Sequence, residues 1–245
     1  MQTIQDVLVQ LDAIIAQCSQ RPTRQAYFAI LYRQMTAAVQ EGIAQGAFED
    51  GPRMEKLDVL FAARYVDAWH AFQQGKPTTL SWHLAFSAAQ QKLTVIQHLL
   101  LGINTHINLD LGIAAAQTAP GDSIFALQHD FEKINDVIAD LSIAMQEKLT
   151  RIWWPMRYVS KMARGKDQAV LNFSIDKARD AAWANAVALA QADAKNAQAY
   201  TRRIDETVCG IGRKIASPGT FASLVLKPVS MMEPSDISSV IKKLI

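Results

Sequence analysis

An all-α fold, a multi-helix bundle with a kinked or broken central helix, is what three features of this 245-residue chain predict. Apolar residues recur at helical spacing almost throughout. The 8 prolines are spread out as punctuation between long Ala-, Leu- and Gln-rich segments. No two convincing strands are available to pair, and an isolated strand would leave its backbone groups without partners. Half of the residues are hydrophobic and a fifth are charged, which excludes disordered and low-complexity classes. A chain of this length buries roughly 70–75% of its unfolded surface, so one helical domain over 1–245 is the expected organisation.

The first helix is marked by Ile4, Val7, Leu8, Leu11, Ile14, Ile15 and Cys18, which form one apolar stripe. Phe28, Leu31, Met35, Val39 and Gly42 define a second helix. Met54, Leu57, Phe61, Tyr65, Ala68 and Phe72 define a third, with Val59, Val66 and Trp69 on its other side, so it belongs in the middle. Between Leu80 and Gly121 the only formal charges are Lys92 and Asp110, which marks a central segment. As one straight helix, Leu80–Gln117 would be about 57 Å long. The whole fold should be only about 46 Å across, so a break or kink is expected, near Gly102 or Gly112. Residues 103–111 also alternate as a half-buried strand would, but helix with a local irregularity is preferred. A stripe of Leu127, Phe131, Ile134, Ile138, Leu141 and Met145, one helical stretch from about Asp167 to Ala216, and a short helix in 236–245 complete the reading.

The net charge of +2 gives no field to draw nucleic acid or an anionic membrane. Five basic residues between Arg151 and Lys166, with Trp153, Trp154 and Tyr158, read as a solvated connector rather than a nucleic-acid surface. No run reaches 18 uninterrupted apolar residues, so a transmembrane segment is not expected. Two distant cysteines, Cys18 and Cys209, and no basic, apolar leader point to a cytoplasmic protein.

The chemistry concentrates in 97–110. On a helix, His98, Gly102, His106 and Asp110 lie four apart on one stripe. Gly102 is expected to leave room between the two imidazoles. His106 and Asp110 can place a ring nitrogen and a carboxylate on one divalent metal ion, and Asn104 and Asn108 add amides. An ionised Asp110 in so apolar a segment must have a compensating partner: a metal, His106, Arg64 or Arg179. Arg64 is alternatively paired with Asp67, and Arg179 with Asp176. Asp58, an acid among apolar neighbours, and Asp130 could complete a metal site with His98, His106 and Asp110. His129-Asp130 is also the dipeptide of helical metal phosphohydrolases, but its context fits a helix start better. There is no H-E-x-x-H, no phosphate-binding loop and no nucleophile elbow.

The stretches 57–65, 97–112 (QHLLLGINTHINLDLG) and 172–183 resemble a bacterial, all-helical family without a known function. The resemblance spans most of the chain and implies a single α-helical domain; it brings no activity or catalytic residues. The H-x-x-x-D pair is also similar to one piece of the helical zinc-dependent phospholipase C and nuclease group. Those sites need further His and Asp ligands and an N-terminal tryptophan, whereas this chain has 5 histidines and starts Met1-Gln2. Two functions are compatible with these residues. One is a metal-dependent hydrolase, acting on a phosphoester, with His98, His106, Asp110 and Asp58 as metal ligands and Asn104, Asn108, Arg64 and Arg179 contacting the ligand. The other is a non-catalytic helical protein that binds a small molecule or a partner, with the same cluster as an internal hydrogen-bond network.

Overall fold

The computed structural model describes residues 1–134, 166–218 and 233–245; for 166–176 it gives the backbone alone. Described residues form nine α-helices and no strand. They are α1 (Ile4–Gln20), α2 (Gln25–Ala44), α3 (Gly51–Gln73), α4 (Leu80–Ser87), α5 (Val95–Thr105), α6 (Gly112–Thr118), α7 (Lys166–Gln191), α8 (Ala194–Ala216) and α9 (Ile237–Leu244). A π-helical turn, His106–Leu111, joins α5 to α6 without a break. Residues 128–134 are also helical. The stripe beyond Ile134, the side chain of Asp176 and the basic segment 151–165, with the side chain of Lys166, lie outside what the structure describes.

Local chemistry sets the helix ends. Thr3 and Asp6 close a capping box on α1, and Thr94 and Gln97 close one on α5. Asp50 accepts from the Arg53 amide ahead of Pro52, and Asp193 caps α8. That Asp193 cap splits the single stretch expected over 167–216 into α7 and α8. The break in Leu80–Gln117 falls at residues 88–94, ahead of the Thr94 cap, rather than at a glycine. The irregularity near Gly102–Gly112 takes the form of the π turn between them. Backbone dihedrals stay helical through it (His106 φ −66°, ψ −47°), so the strand alternative for 103–111 is set aside.

α1, α2 and α3 pack on one another, with α9 against α2. Ile4, Val7, Leu8, Leu11, Ile14 and Cys18 are buried on α1 as the stripe requires, while Ile15 sits at its edge. On α2 the inward face is rotated from the expected one: Phe28, Tyr32, Thr36 and Val39 are buried, whereas Leu31 and Met35 are half-buried. The continuous helix Val95–Thr118 runs through the middle, touching α2, α3, α4, α7 and α8. It is long and apolar enough to cross a membrane, yet 72% of its most apolar window is buried inside the fold. Its composition is thereby matched by protein packing.

Gly102 has a packing reason to be glycine. A Cβ there would collide with the Phe28 ring, so the space expected between the imidazoles is filled by that ring. At Gly112 a Cβ would meet the Ala182 carbonyl oxygen at 2.9 Å, and α6 and α7 are held close by it. Gly102→Ala should therefore destabilise the fold by about 1–3 kcal/mol through overpacking. In chemical denaturation, adding Phe28→Leu should recover part of that loss; simple additivity of the two substitutions would contradict this contact.

Candidate functional site

Asp110 is fully buried at the centre of the fold. Three elements bring donors to it: α3 supplies Arg64, α4 supplies Trp82, and the start of the π turn supplies His106. Arg64 Nε donates to Oδ1 at 2.7 Å. Trp82 Nε1 donates to Oδ2 at 2.8 Å. His106 Nδ1 lies 3.1 Å from the same Oδ2. A carboxylate only accepts hydrogen bonds, so the shared proton belongs on Nδ1 of the imidazole. Three donors and one positive charge thus meet the demand that the sequence exposes. Of the two partners that the sequence offers Arg64, Asp110 and Asp67, it takes Asp110, because the buried charge is the stronger claimant.

His106 is stacked on Phe61 with ring centroids 3.6 Å apart and interplanar angle 8°. Tyr32 meets it edge-on at 4.4 Å, and Phe28, Tyr65 and Trp82 lie further out. Burial in this aromatic cage holds its pKa below the ordinary histidine value, although Asp110 pulls the other way. The ring is therefore neutral at pH 7. Its Nε2 is buried and carries no hydrogen bond.

Asp58 is the contrasting acid. It is buried on α3, and its Oδ2 has no hydrogen-bond partner. Burial, with a contribution from the Glu55 charge, pushes its pKa up to about 7. Asp58 and His106 border the same cavity of about 70 Å³, between α2, α3, the π turn and α7. Its wall is almost wholly carbon, contributed by Phe28, Val39, Leu57, Phe61 and Ile103 among others. Tyr32 and Thr36 also border it, and their hydroxyls are close but make no hydrogen bond of good geometry. Arg179 of α7, buried, also borders it.

Other candidates are placed elsewhere. His98 lies against Tyr27 in a separate recess shared with Arg24 and Gly102. Burial, aided by the Arg24 charge, lowers its pKa to about 4, against a weak pull from the Leu93 carbonyl. Asn104 Nδ2 donates to the Val208 carbonyl at 3.0 Å, and Asn108 Nδ2 to Asn104 Oδ1 at 3.1 Å, so the two amides tie the central helix to α8. Among the described residues, no three of His98, His106, Asp110 and Asp58 bring ligand atoms within 4.8 Å of one another; Glu49, His129 and Asp130 do. Both Asp130 oxygens are already taken. They accept from the Glu49 and Asp50 amides (2.7 and 3.1 Å) and from Arg53 Nη2 (2.9 Å). Burial raises the Asp130 pKa, but these donors together outweigh it and hold the carboxyl below its ordinary range.

Sequence reasoning missed Asp205 on α8. Its buried carboxylate accepts from the Leu80 and Ser81 amides (2.7 and 3.0 Å) and from Ser81 Oγ (2.6 Å), capping α4 from another helix. Nothing local in Arg-Ile-Asp-Glu-Thr signals this, since the partner lies 124 positions away. Tyr32 and Thr36 could have been found from the i, i+4, i+8 spacing that they share with Phe28.

The fold and its centre define an all-helical protein with an ion-paired core aspartate and an adjoining apolar cavity. Residues 4–218 match DUF5995, a family of unknown function, and the chain belongs to that family. No curated protein and no solved structure matches it.

Two outcomes test the electrostatics. Asp110→Asn should lower the unfolding free energy by roughly 2–4 kcal/mol, and Trp82→Phe by about 1–2 kcal/mol; equal, negligible losses in urea titrations would dismiss the network as a stabilising feature. Asp58 gives the opposite pH signature. Its raised pKa favours the neutral form when folded, so its stabilisation is complete below about pH 4 and is lost as pH rises through about 7. Asp58→Asn stays neutral throughout. Relative to wild type, the variant should gain roughly 1–4 kcal/mol on going from pH 4 to pH 8, and a difference that is flat with pH in paired melts rejects this assignment.

Proposed function

We propose that this protein is a non-catalytic helical binding protein for a small, largely apolar molecule, and that the cavity beside His106 and Asp58 is its binding site. The observation that carries this reading is the cavity itself: almost wholly carbon-walled, about 70 Å³, and lined by apolar side chains from α2, α3 and the central helix. Well-packed interiors have few voids larger than a water molecule. An apolar void stays dry and is disposed to accept an apolar guest. The Asp110 network serves as the frame that fixes the wall, since Phe61 is stacked on His106 and His106 is held by Asp110.

The metal-dependent hydrolase reading asks His98, His106, Asp110 and Asp58 to surround one cation. It draws less support, because Asp110 already accepts three donors and His98 borders a different recess. For Arg64, the ion pair with Asp110 favours a structural role over contact with a substrate. A cytoplasmic location is supported by Cys18 and Cys209, both buried and both free thiols.

Xenon is a suitable probe, because it requires only an apolar void. Methyl NMR under xenon pressure should shift the signals of Leu57, Val39 and Ile103 saturably. Val39→Phe, which fills the cavity, should abolish those shifts while leaving the melting temperature within a few degrees. Stoichiometric metal in protein purified without a tag, lost in His106→Ala and Asp110→Asn variants, would instead restore the hydrolase reading.

A further inference from the structure

Outside the core, one group of side chains among the described residues converges as metal ligands do. Glu49, His129 and Asp130 each offer a ligand atom, and the three atoms lie within 4.8 Å of one another. They come from two segments, the turn ahead of α3 and the helical residues 128–134. The joint between these segments is fixed by the backbone. The Glu49 and Asp50 amides donate to the two Asp130 oxygens at 2.7 and 3.1 Å, and Arg53 Nη2 donates to Oδ2 at 2.9 Å. The Asp130 carboxylate is fully buried and held on both oxygens, so its orientation is set before any ligand arrives. Hydrogen-bonded outer partners of this kind are what orient carboxylates in metal sites.

Both Asp130 oxygens have donors, yet a carboxylate has about four lone-pair positions. Two donors meet Oδ2 and one meets Oδ1, which leaves a position open on Oδ1. The other two groups stand in solvent, with side chains 67% exposed at His129 and 62% at Glu49. His129 Nδ1 lies 3.2 Å from Glu49 Oε1. Ligands at about 2.0–2.1 Å from a tetrahedral zinc ion are roughly 3.3 Å apart, so this pair already has the spacing of one edge of the tetrahedron. The local charge also suits a cation. Glu49, Asp50 and Asp130 face the single guanidinium of Arg53, which Asp50 and Asp130 share.

We propose that Glu49 Oε1, His129 Nδ1 and Asp130 Oδ1 form a surface site for one zinc ion, with solvent water in the fourth position. An imidazole nitrogen beside two carboxylates selects zinc over magnesium and calcium, which take oxygen ligands. The ion bridges residue 49 to residue 129 and so reinforces the joint that Asp130 makes with the start of α3. The site is separate from the cavity beside His106 and does not depend on what that cavity binds.

The test uses the full chain, purified without a histidine tag and treated with chelator, then titrated with zinc chloride or magnesium chloride by calorimetry. One zinc ion per chain should bind, about tenfold or more tighter than magnesium, and zinc should raise the melting temperature. In imidazole nitrogen NMR the His129 Nδ1 signal should respond to zinc. His129→Ala and Glu49→Gln change exposed side chains and should each weaken zinc by about tenfold or more, the range that even outer partners of a metal site carry. Asp130 is left intact, because its oxygens also hold the Glu49 and Asp50 amides. His83→Ala, at another exposed histidine, should leave zinc affinity unchanged. A 3.2 Å hydrogen bond between His129 and Glu49 with no metal role predicts none of these responses. Absence of zinc uptake, zinc binding no tighter than magnesium, full zinc affinity in either His129→Ala or Glu49→Gln, or a response at His98 or His106 in place of His129 would each overturn the proposal.

Discussion

A carboxylate placed at the centre of an oily helix cannot be left alone, and the architecture around Asp110 answers that requirement. Transferring an unpaired charge into the interior would cost several kcal/mol or force the group to neutralise. The fold brings donors from separate segments: Arg64 from α3, Trp82 from α4 and His106 from one turn earlier. Each donor is useful only if its helix sits at a fixed distance and rotation. One acid therefore specifies how α3 and α4 dock on the central helix, which apolar contacts alone do less sharply. The aromatic residues add the dispersion half of the same joint, with His106 clasped between Phe61 and Tyr32.

The same device recurs at smaller scale. Asp205 reaches from α8 to the first amides of α4, and Asp130 reaches to the amides that precede α3. Helix N-termini present unsatisfied donors and partial positive charge, so a buried acid from a distant segment satisfies both parties. The Asn104 amide serves similarly for the Val208 carbonyl. The bundle is thus tied laterally by polar contacts that are individually specific and mutually distant in sequence. Asp58 and the neighbouring cavity are where that pattern of completed pairs is interrupted.

Much of the helical content was legible because apolar periodicity is a local property of the chain. The α1 stripe from Ile4 to Cys18 needs nothing beyond its own spacing. The low charge of 80–121 correctly marked the central helix, and the mismatch between its length and the fold's diameter required an interruption. The interruption's position was not legible, because the Thr94–Gln97 box that restarts the helix competes with an equally helical Ala-rich segment before it. The α2 face was misjudged for a different reason: Tyr32 and Thr36 carry hydroxyls, yet packing of Tyr32 against Phe28 and His106 turns that face inward. The His106–Asp110 adjacency was readable from i, i+4 spacing. Arg64 as a partner was one of several options, and Trp82 and Asp205 were invisible, since tertiary partners leave no mark on the local pattern.

The π turn between His106 and Leu111 also sets how the central rod is phased. A π turn holds one residue more than the α-helical path it replaces, so the helix beyond it is turned by about 100° relative to an uninterrupted one. That phase offset is what presents Gly112 to Ala182 of α7 while Gly102, ten positions earlier, presents to Phe28 of α2. The surplus residue works as a gear tooth: it sets the two halves of one rod to mesh with different neighbours, and shortening the segment by a single residue would disengage one of them.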